Sequence, residues 1–91
     1  MPLYTFYFDY QGGTYVSQVC AGTYKAAPKV WAKKLDLTGI VEHATSKTKQ
    51  NLIEAIQSDT PVQLEGQINS WCISVRFDNN FGLVHYTQTA E

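Results

Sequence analysis

Apolar and polar residues alternate along segment 3–10 in the two-residue period of a β-strand. One side of that period is entirely aromatic and consists of Tyr4, Phe6, Phe8 and Tyr10. Segment 14–20 continues as a second strand. Between the two, Gln11-Gly12-Gly13 has the length and composition of a tight turn. The pattern therefore predicts an N-terminal β-hairpin.

The same alternation returns in the C-terminal third of the chain. Segment 68–77 places Trp71, Ile73, Val75 and Phe77 on one side of the strand. Asp78-Asn79-Asn80 supplies a turn because asparagine tolerates a positive φ angle, and segment 81–88 is the returning strand. Segment 62–65 predicts one additional short strand. The sequence therefore predicts a second hairpin.

A helix is predicted over residues 23–38, where the apolar period changes to that of a helix. Its apolar stripe is Tyr24, Ala27, Trp31 and Leu35. Thr23 is a plausible N-cap and Gly39 a plausible C′ residue. Pro28 leaves two alternatives, a distorted first turn or a regular helix that starts near Pro28.

A second helix is predicted from a cap at Thr45 or Ser46 to about Ser58. Leu52, Ile53 and Ile56 define its buried face, with Lys49 or Ala55 at the margin. Segment 40–44, between the helices, is either a connector or a brief strand.

The element order β-β-α-α-β-β predicts an α+β fold in a single domain, residues 1–91. We expect two layers: one antiparallel sheet built from the two hairpins, and both helices on one face of it.

The composition allows only a modest core. The chain has 91 residues, of which 44% are hydrophobic, so a homodimer is a reasonable expectation. No apolar run approaches the roughly 20 residues that span a bilayer, and residues 1–4 lack the pattern of a signal peptide. We expect a cytoplasmic protein without membrane contact, in which Cys20 and Cys72 are free, buried thiols.

Charge is distributed unevenly along the chain. Segment 25–49 carries six lysines and two acidic residues, a net charge of +4, whereas the remaining positions carry one arginine and six acidic residues, a net charge of −5. Such asymmetry indicates an interaction face.

Two groups of residues make up this predicted basic face. Lys25, Lys29 and Lys33 recur at helical spacing along helix 1, and Lys34 flanks them. Ser46, Lys47, Thr48 and Lys49 fall in the first turn of helix 2, where free backbone N–H groups favour anions. The alternative for both groups is an ordinary solvated surface with a capping hydroxyl. We expect the face to bind a partner or an anion.

One cysteine and one histidine raise the question of thiol chemistry. With Asn79-Asn80 as the turn, Ser74 lies opposite His85, and Cys72 lies diagonal to it within side-chain reach. A thiol nucleophile needs such a base nearby. No motif surrounds Cys72 and no third residue orients His85, so we expect packing roles for both.

Spacing does not favour other chemistries. The Gly12-Gly13 pair matches neither a Walker loop nor a dinucleotide loop, and a strand follows it instead of a helix. Residues able to bind a metal are scattered singly: Cys20, His43, Cys72 and His85. We expect no cofactor and no metal.

Residues 3–36 resemble the start of HicB-type antitoxins, which have a hairpin with Gly-Gly-Tyr-like residues and then a helix beginning Thr/Ser-x-x-x-Ala. The matching residues are Gly12, Gly13, Thr14 and Tyr15, followed by Thr23 through Ala27. The resemblance covers about a third of the chain. The Pro-Gly-Cys strand and the C-terminal DNA-binding module of that family have no counterpart here. The resemblance implies a partner-binding homodimer.

We therefore expect a non-enzymatic interaction or regulatory module that binds an unidentified protein through the basic face. Two alternatives stay open. One is a nucleic-acid-associated protein that uses the same lysines, with Tyr7 or Tyr15 for stacking. The other is a small thiol enzyme that uses Cys72 and His85.

Overall fold

Five strands and two α-helices form the fold in a computed structural model that describes all residues from 1 to 91. In chain order they are β1 Leu3–Tyr10, β2 Gly13–Cys20, α1 Ala27–Lys34, α2 Ser46–Gln57, β3 Val62–Gln63, β4 Ser70–Phe77 and β5 Asn80–Ala90. The α+β class is confirmed. Neither helix is long and apolar enough to cross a membrane.

All five strands belong to one antiparallel sheet with the order β2-β1-β5-β4-β3. Both predicted hairpins are present, and they join where β1 pairs with β5, with Phe6 opposite Tyr86. The short β3 pairs with β4. It ends after two residues because the chain turns back at once, and Gln67 donates a backbone hydrogen bond to Leu64.

Both hairpin turns contain two residues with positive φ angles, as type I′ turns require. In the first turn these are Gln11 and Gly12, at +49° and +81°. Gly13 was predicted as part of this turn but instead pairs with Tyr10 as the first residue of β2.

The second turn is Asp78-Asn79, at +53° and +61°, not the predicted Asn79-Asn80. Aspartate adopts the left-handed conformation as asparagine does, and Asn80 bonds back to the Asp78 carbonyl while it pairs with Phe77. The one-residue shift of the turn changes the register of the whole hairpin by two residues.

Helix α1 is shorter than the predicted 23–38. Thr23 does accept a hydrogen bond from the Ala26 N–H, but residues 24–26 form an irregular turn and not the first turn of a helix. The regular helix begins at Ala27 with Pro28 in its first turn, where the missing N–H costs nothing, and it ends at Lys34. A 3-10 turn over Leu37–Gly39 follows.

Helix α2 agrees with the prediction at both ends. Thr45 is the N-cap, and its side chain accepts from the Thr48 N–H while the Thr48 hydroxyl accepts from the Thr45 N–H. Leu52 and Ile56 are buried.

A stack of five aromatic rings occupies the centre of the core. Trp31 of α1 lies on Phe6, with ring centres 5.1 Å apart, and Phe6 lies on Tyr86 at 4.6 Å. Tyr86 stacks on Trp71 at 5.3 Å, and Trp71 on Tyr24 at 4.7 Å. The stack begins and ends on the segment that carries α1, so it ties that segment to β1, β5 and β4 together.

The polar atoms of the stack are satisfied. Trp31 Nε1 donates to Ser17 Oγ at 2.9 Å, and the Tyr86 hydroxyl donates to the Tyr24 carbonyl at 2.7 Å. Burial raises the pKa of the Tyr86 phenol well above its ordinary value, so it stays a neutral donor.

Gly82 of β5 is predicted to be essential for this packing. A Cβ at position 82 would lie 2.8 Å from the Phe8 ring and 3.1 Å from both Tyr10 and Val75. Gly82→Ala should therefore lower the free energy of unfolding by about 1–3 kcal/mol in urea denaturation. Gly22→Ala is the control, because no atom lies within 4 Å of its Cβ position. Equal stability of the two variants would contradict this account of the core.

Candidate partner-binding groove

The predicted lysine line borders a groove between the two helices. Lys25, Lys29 and Lys33 line a cavity of about 510 Å³ there. Its apolar lining comes from α1, from the end of α2 and from the sheet, namely Pro28, Val30, Ile56, Pro61 and Ile73. The α1–α2 groove, as we call it, thus combines a basic rim with an apolar floor.

Local sequence explains why the lysines stand on this rim. Lys29 and Lys33 are four residues apart and share one face of α1, while Trp31, two positions from each, points into the core. Lys25 precedes the helix, and its ammonium lies 6.0 Å from the centre of the Tyr24 ring. A cation at this distance gains a weak attraction from the ring.

The rim lysines have no acidic partner in the chain. The only basic nitrogen within 4 Å of a carboxylate oxygen is Nε2 of His43, beside Glu42, and both of these side chains are exposed. Asp59 contributes to the groove lining but forms no ion pair with a lysine. The groove therefore presents three lysines without a close ion pair, and one aspartate, over an apolar floor.

Lys34 lies outside this groove. It lines a second cavity of about 310 Å³, together with Trp31, Leu35 and Tyr15. Tyr15 is half-buried, and Tyr7 is exposed on the other side of the sheet from the core. Neither tyrosine borders the α1–α2 groove, and the aromatic ring beside the lysine line, that of Tyr24, already stacks on Trp71.

The start of α2 is largely engaged in bonds within the chain. Thr48 is buried and forms the capping box with Thr45, and Lys49 Nζ donates to the Leu35 carbonyl at the end of α1. Ser46 and Lys47 are exposed and border neither cavity described above. Of the four residues predicted at this helix end, two therefore face solvent with free side chains.

The lining residues from outside the lysine line were not predicted as site residues. Ile56 was expected in the core, and Gln57, Asp59, Pro61 and Ile73 had no expected role in binding. For Ile56 and Ile73 the only sequence signal was apolar periodicity, which marks burial and does not distinguish a groove floor from a core; Gln57 and Asp59 had none.

Asp36 follows α1 and should contribute to acid sensitivity. Hydrogen bonds from the Thr38 hydroxyl and N–H lower the pKa of its carboxyl, and the charge of Lys49 acts in the same direction. A carboxyl with a lowered pKa stabilises the fold above its unfolded pKa, and this stabilisation is lost as the pH falls through the lowered value.

Asp36→Ala should therefore flatten the dependence of Tm on pH below about pH 4, as measured by circular dichroism. Asp59→Ala, whose carboxyl bonds only to the adjacent Thr60 N–H, is the comparison. The account of Asp36 is wrong if both variants retain the slope of the parent protein.

Cys72 and His85 are direct cross-strand neighbours in the observed register. The predicted pairing of Ser74 with His85 is wrong, because the turn lies one residue earlier. Both side chains are half-buried on the face of the sheet opposite the aromatic core, in a row that also contains Tyr7. Both cysteines are free thiols, but Cys20 is exposed, contrary to the expectation of burial.

We expect ordinary thiol reactivity from Cys72, since His85 is its only adjacent base and no group holds that ring by a hydrogen bond. In a Cys20→Ser background, alkylation by iodoacetamide at neutral pH should be as slow as that of a simple thiol. Fast alkylation that His85→Ala abolishes would instead favour the thiol-enzyme alternative.

No group of three or more His, Cys, Asp or Glu side chains is close enough together to hold a metal ion. No family model, no curated protein and no solved structure matches the chain. The similarity to HicB-type antitoxins therefore remains one of a single hairpin and helix.

Proposed function

We propose that this protein is a small non-enzymatic interaction module, whose α1–α2 groove binds an acidic, extended segment of a partner protein. Both helices form a second layer over one face of the sheet, and the groove lies between them. The observation that carries the proposal is the unpaired line of Lys25, Lys29 and Lys33 above an apolar floor.

Charge supplies the first step of the argument. Three exposed lysines on one rim raise the local positive potential, and no carboxylate of the chain reduces it by pairing. A partner with Asp or Glu residues is attracted by this potential and oriented along α1. Because the side chains are exposed, the attraction weakens as salt rises.

The apolar floor supplies the second step. The half-buried Val30 and Pro61, above the buried Ile56 and Ile73, offer a surface on which a leucine or phenylalanine side chain is removed from water. The volume lies within the range of about 300–1,000 Å³ that is typical of binding pockets. An acidic segment with one large apolar residue matches both the rim and the floor.

Nucleic acid matches the groove less well. Phosphate contacts would use the same lysines, but strand binding normally adds aromatic platforms. Tyr7 and Tyr15 lie elsewhere, and Tyr24 beside Lys25 already stacks on Trp71. Ser46, Lys47 and Lys34 complete the basic face on its outer side and serve long-range attraction of the partner in this proposal.

The groove is tested with a short synthetic peptide of glutamates around one leucine, titrated into the 15N-labelled protein. Amide signals of Lys29, Val30 and Ile56 should shift. Lys29→Glu with Lys33→Glu should weaken the Kd at least about tenfold, because reversal of two exposed charges costs on the order of 1–2 kcal/mol.

The matched control is Lys34→Glu with Lys47→Glu, which changes the net charge equally outside the groove. We expect less than about a threefold loss from this control. Equal losses in the two double variants would mean that net charge alone attracts the peptide, and the groove proposal would fail. A single-stranded oligonucleotide that shifts the same amides, when the peptide shifts none, would replace it with the nucleic-acid alternative.

A further inference from the structure

Strand β2 leaves one edge of the sheet without a partner. It is eight residues long and terminates the order β2-β1-β5-β4-β3. Because Tyr10 and Gly13 flank a two-residue turn, Gly13 and every second residue after it bond inward to β1. The backbone groups of Thr14, Val16, Gln18 and Cys20 therefore point outward, and no hydrogen bond reaches them.

This edge lacks the features that normally prevent strand pairing. Segment 13–20 contains no charged residue and no proline, and its pairing with β1 runs without a bulge. The other edge of the sheet is different, since β3 has only two residues and follows Pro61. Only β2 offers a long, uncharged and regular edge.

We propose that β2 pairs with β2 of a second copy of this chain, antiparallel about a two-fold axis at Val16. Outward-facing residues then oppose one another, Val16 with Val16 of the second copy and Thr14 with Gln18. Three such pairs form about six backbone hydrogen bonds, two for each pair. The two sheets join into one of ten strands, and this surface is separate from the α1–α2 groove.

Side chains favour a second copy over an unrelated strand. Val16 is 60% exposed, and across the axis it meets its own equivalent, an apolar pair at close range. Thr14 faces Gln18: the Thr14 hydroxyl donates to Asp9 and Gln18 Nε2 donates to Thr5 Oγ1, so the hydroxyl oxygen accepts from the second N–H of the Gln18 amide across the axis. The paired segment itself carries no charge. Asp9, one strand away, accepts from the Thr14 hydroxyl at 2.6 Å, and Lys34 and Asp36 at the end of α1 line a cavity with Ser17 and Gln18 on the core side of this edge.

The test is sedimentation velocity over about 1–500 µM protein. The parent chain should form dimers, and Val16→Lys should raise the dimer Kd at least about tenfold, since it places two lysines opposite each other. Val62→Lys is the matched control, because Val62 is 63% exposed on the opposite edge. At a protein concentration where the parent is monomeric, both variants should keep the parent's melting temperature, which separates lost pairing from lost folding.

Two further measurements fix the interface. An equimolar mixture of the Val16→Lys and Val16→Glu variants should dimerise again, since opposite charges then meet. In the parent, amide exchange at Thr14, Val16 and Gln18 should slow as protein concentration rises. A parent chain that is monomeric throughout, or a dimer that Val16→Lys leaves intact, overturns the proposal.

Discussion

The pairing of β1 with β5, and the stacking of Phe6 on Tyr86 that it allows, is the interaction on which the rest of the structure depends. Each hairpin alone is a two-stranded ribbon, which is marginally stable in water. Joined at their centre, the hairpins bring four aromatic residues of β1 beside Tyr86 and Trp71, and the rings of Trp31 and Tyr24 then cover that surface from the α1 segment. The position of α1, and therefore of the lysines on it, follows from this stack.

The two sides of the sheet differ because of this arrangement. One side of the sheet is buried in the core, and α1 with its lysines packs against this side. The other side keeps Tyr7, Val16 and Phe81 exposed among threonines and serines that bond to one another, such as Ser70 with Thr87. The lysines of α1 therefore lie on one side of the sheet and the exposed Tyr7, Val16 and Phe81 on the other, where Arg76 pairs with Phe81. A partner held in the α1–α2 groove and a second copy at the edge of β2 would not compete for the same residues.

The periodicity of the sequence predicted the element types well, and turn chemistry limited the rest. Strand β1 and helix α2 were placed within a residue, because alternating aromatics and the Thr45 cap are local signals. The turn between β4 and β5 was predicted one residue too late. Both Asp78-Asn79 and Asn79-Asn80 are acceptable type I′ turns by composition, and only the packing of β4 on β5 selects one. The short β3 and the early end of α1 also depend on tertiary contacts.

The candidate site could be predicted only in part. The spacing of the lysines along α1 is a local signal, but the floor of the groove depends on how α2 and β4 approach α1. Likewise, the bond from Lys49 to the Leu35 carbonyl joins residues 14 positions apart, so no local pattern predicts it.

The pairing of the first strand with the last has a further consequence for how the domain is made. A ribosome adds about 5–20 residues per second, so β1 is complete several seconds before β5 emerges. During that interval the backbone of β1 is paired only with β2, and its other edge, where β5 will pair, is open. The aromatic side chains of β1 are not yet covered. The contacts that complete the sheet are among the most distant in sequence that the chain makes, and such topologies fold slowly. In nascent chains of this protein the aromatic strand β1 is therefore exposed for a period. Chaperones that bind extended aromatic segments can bind it during that period.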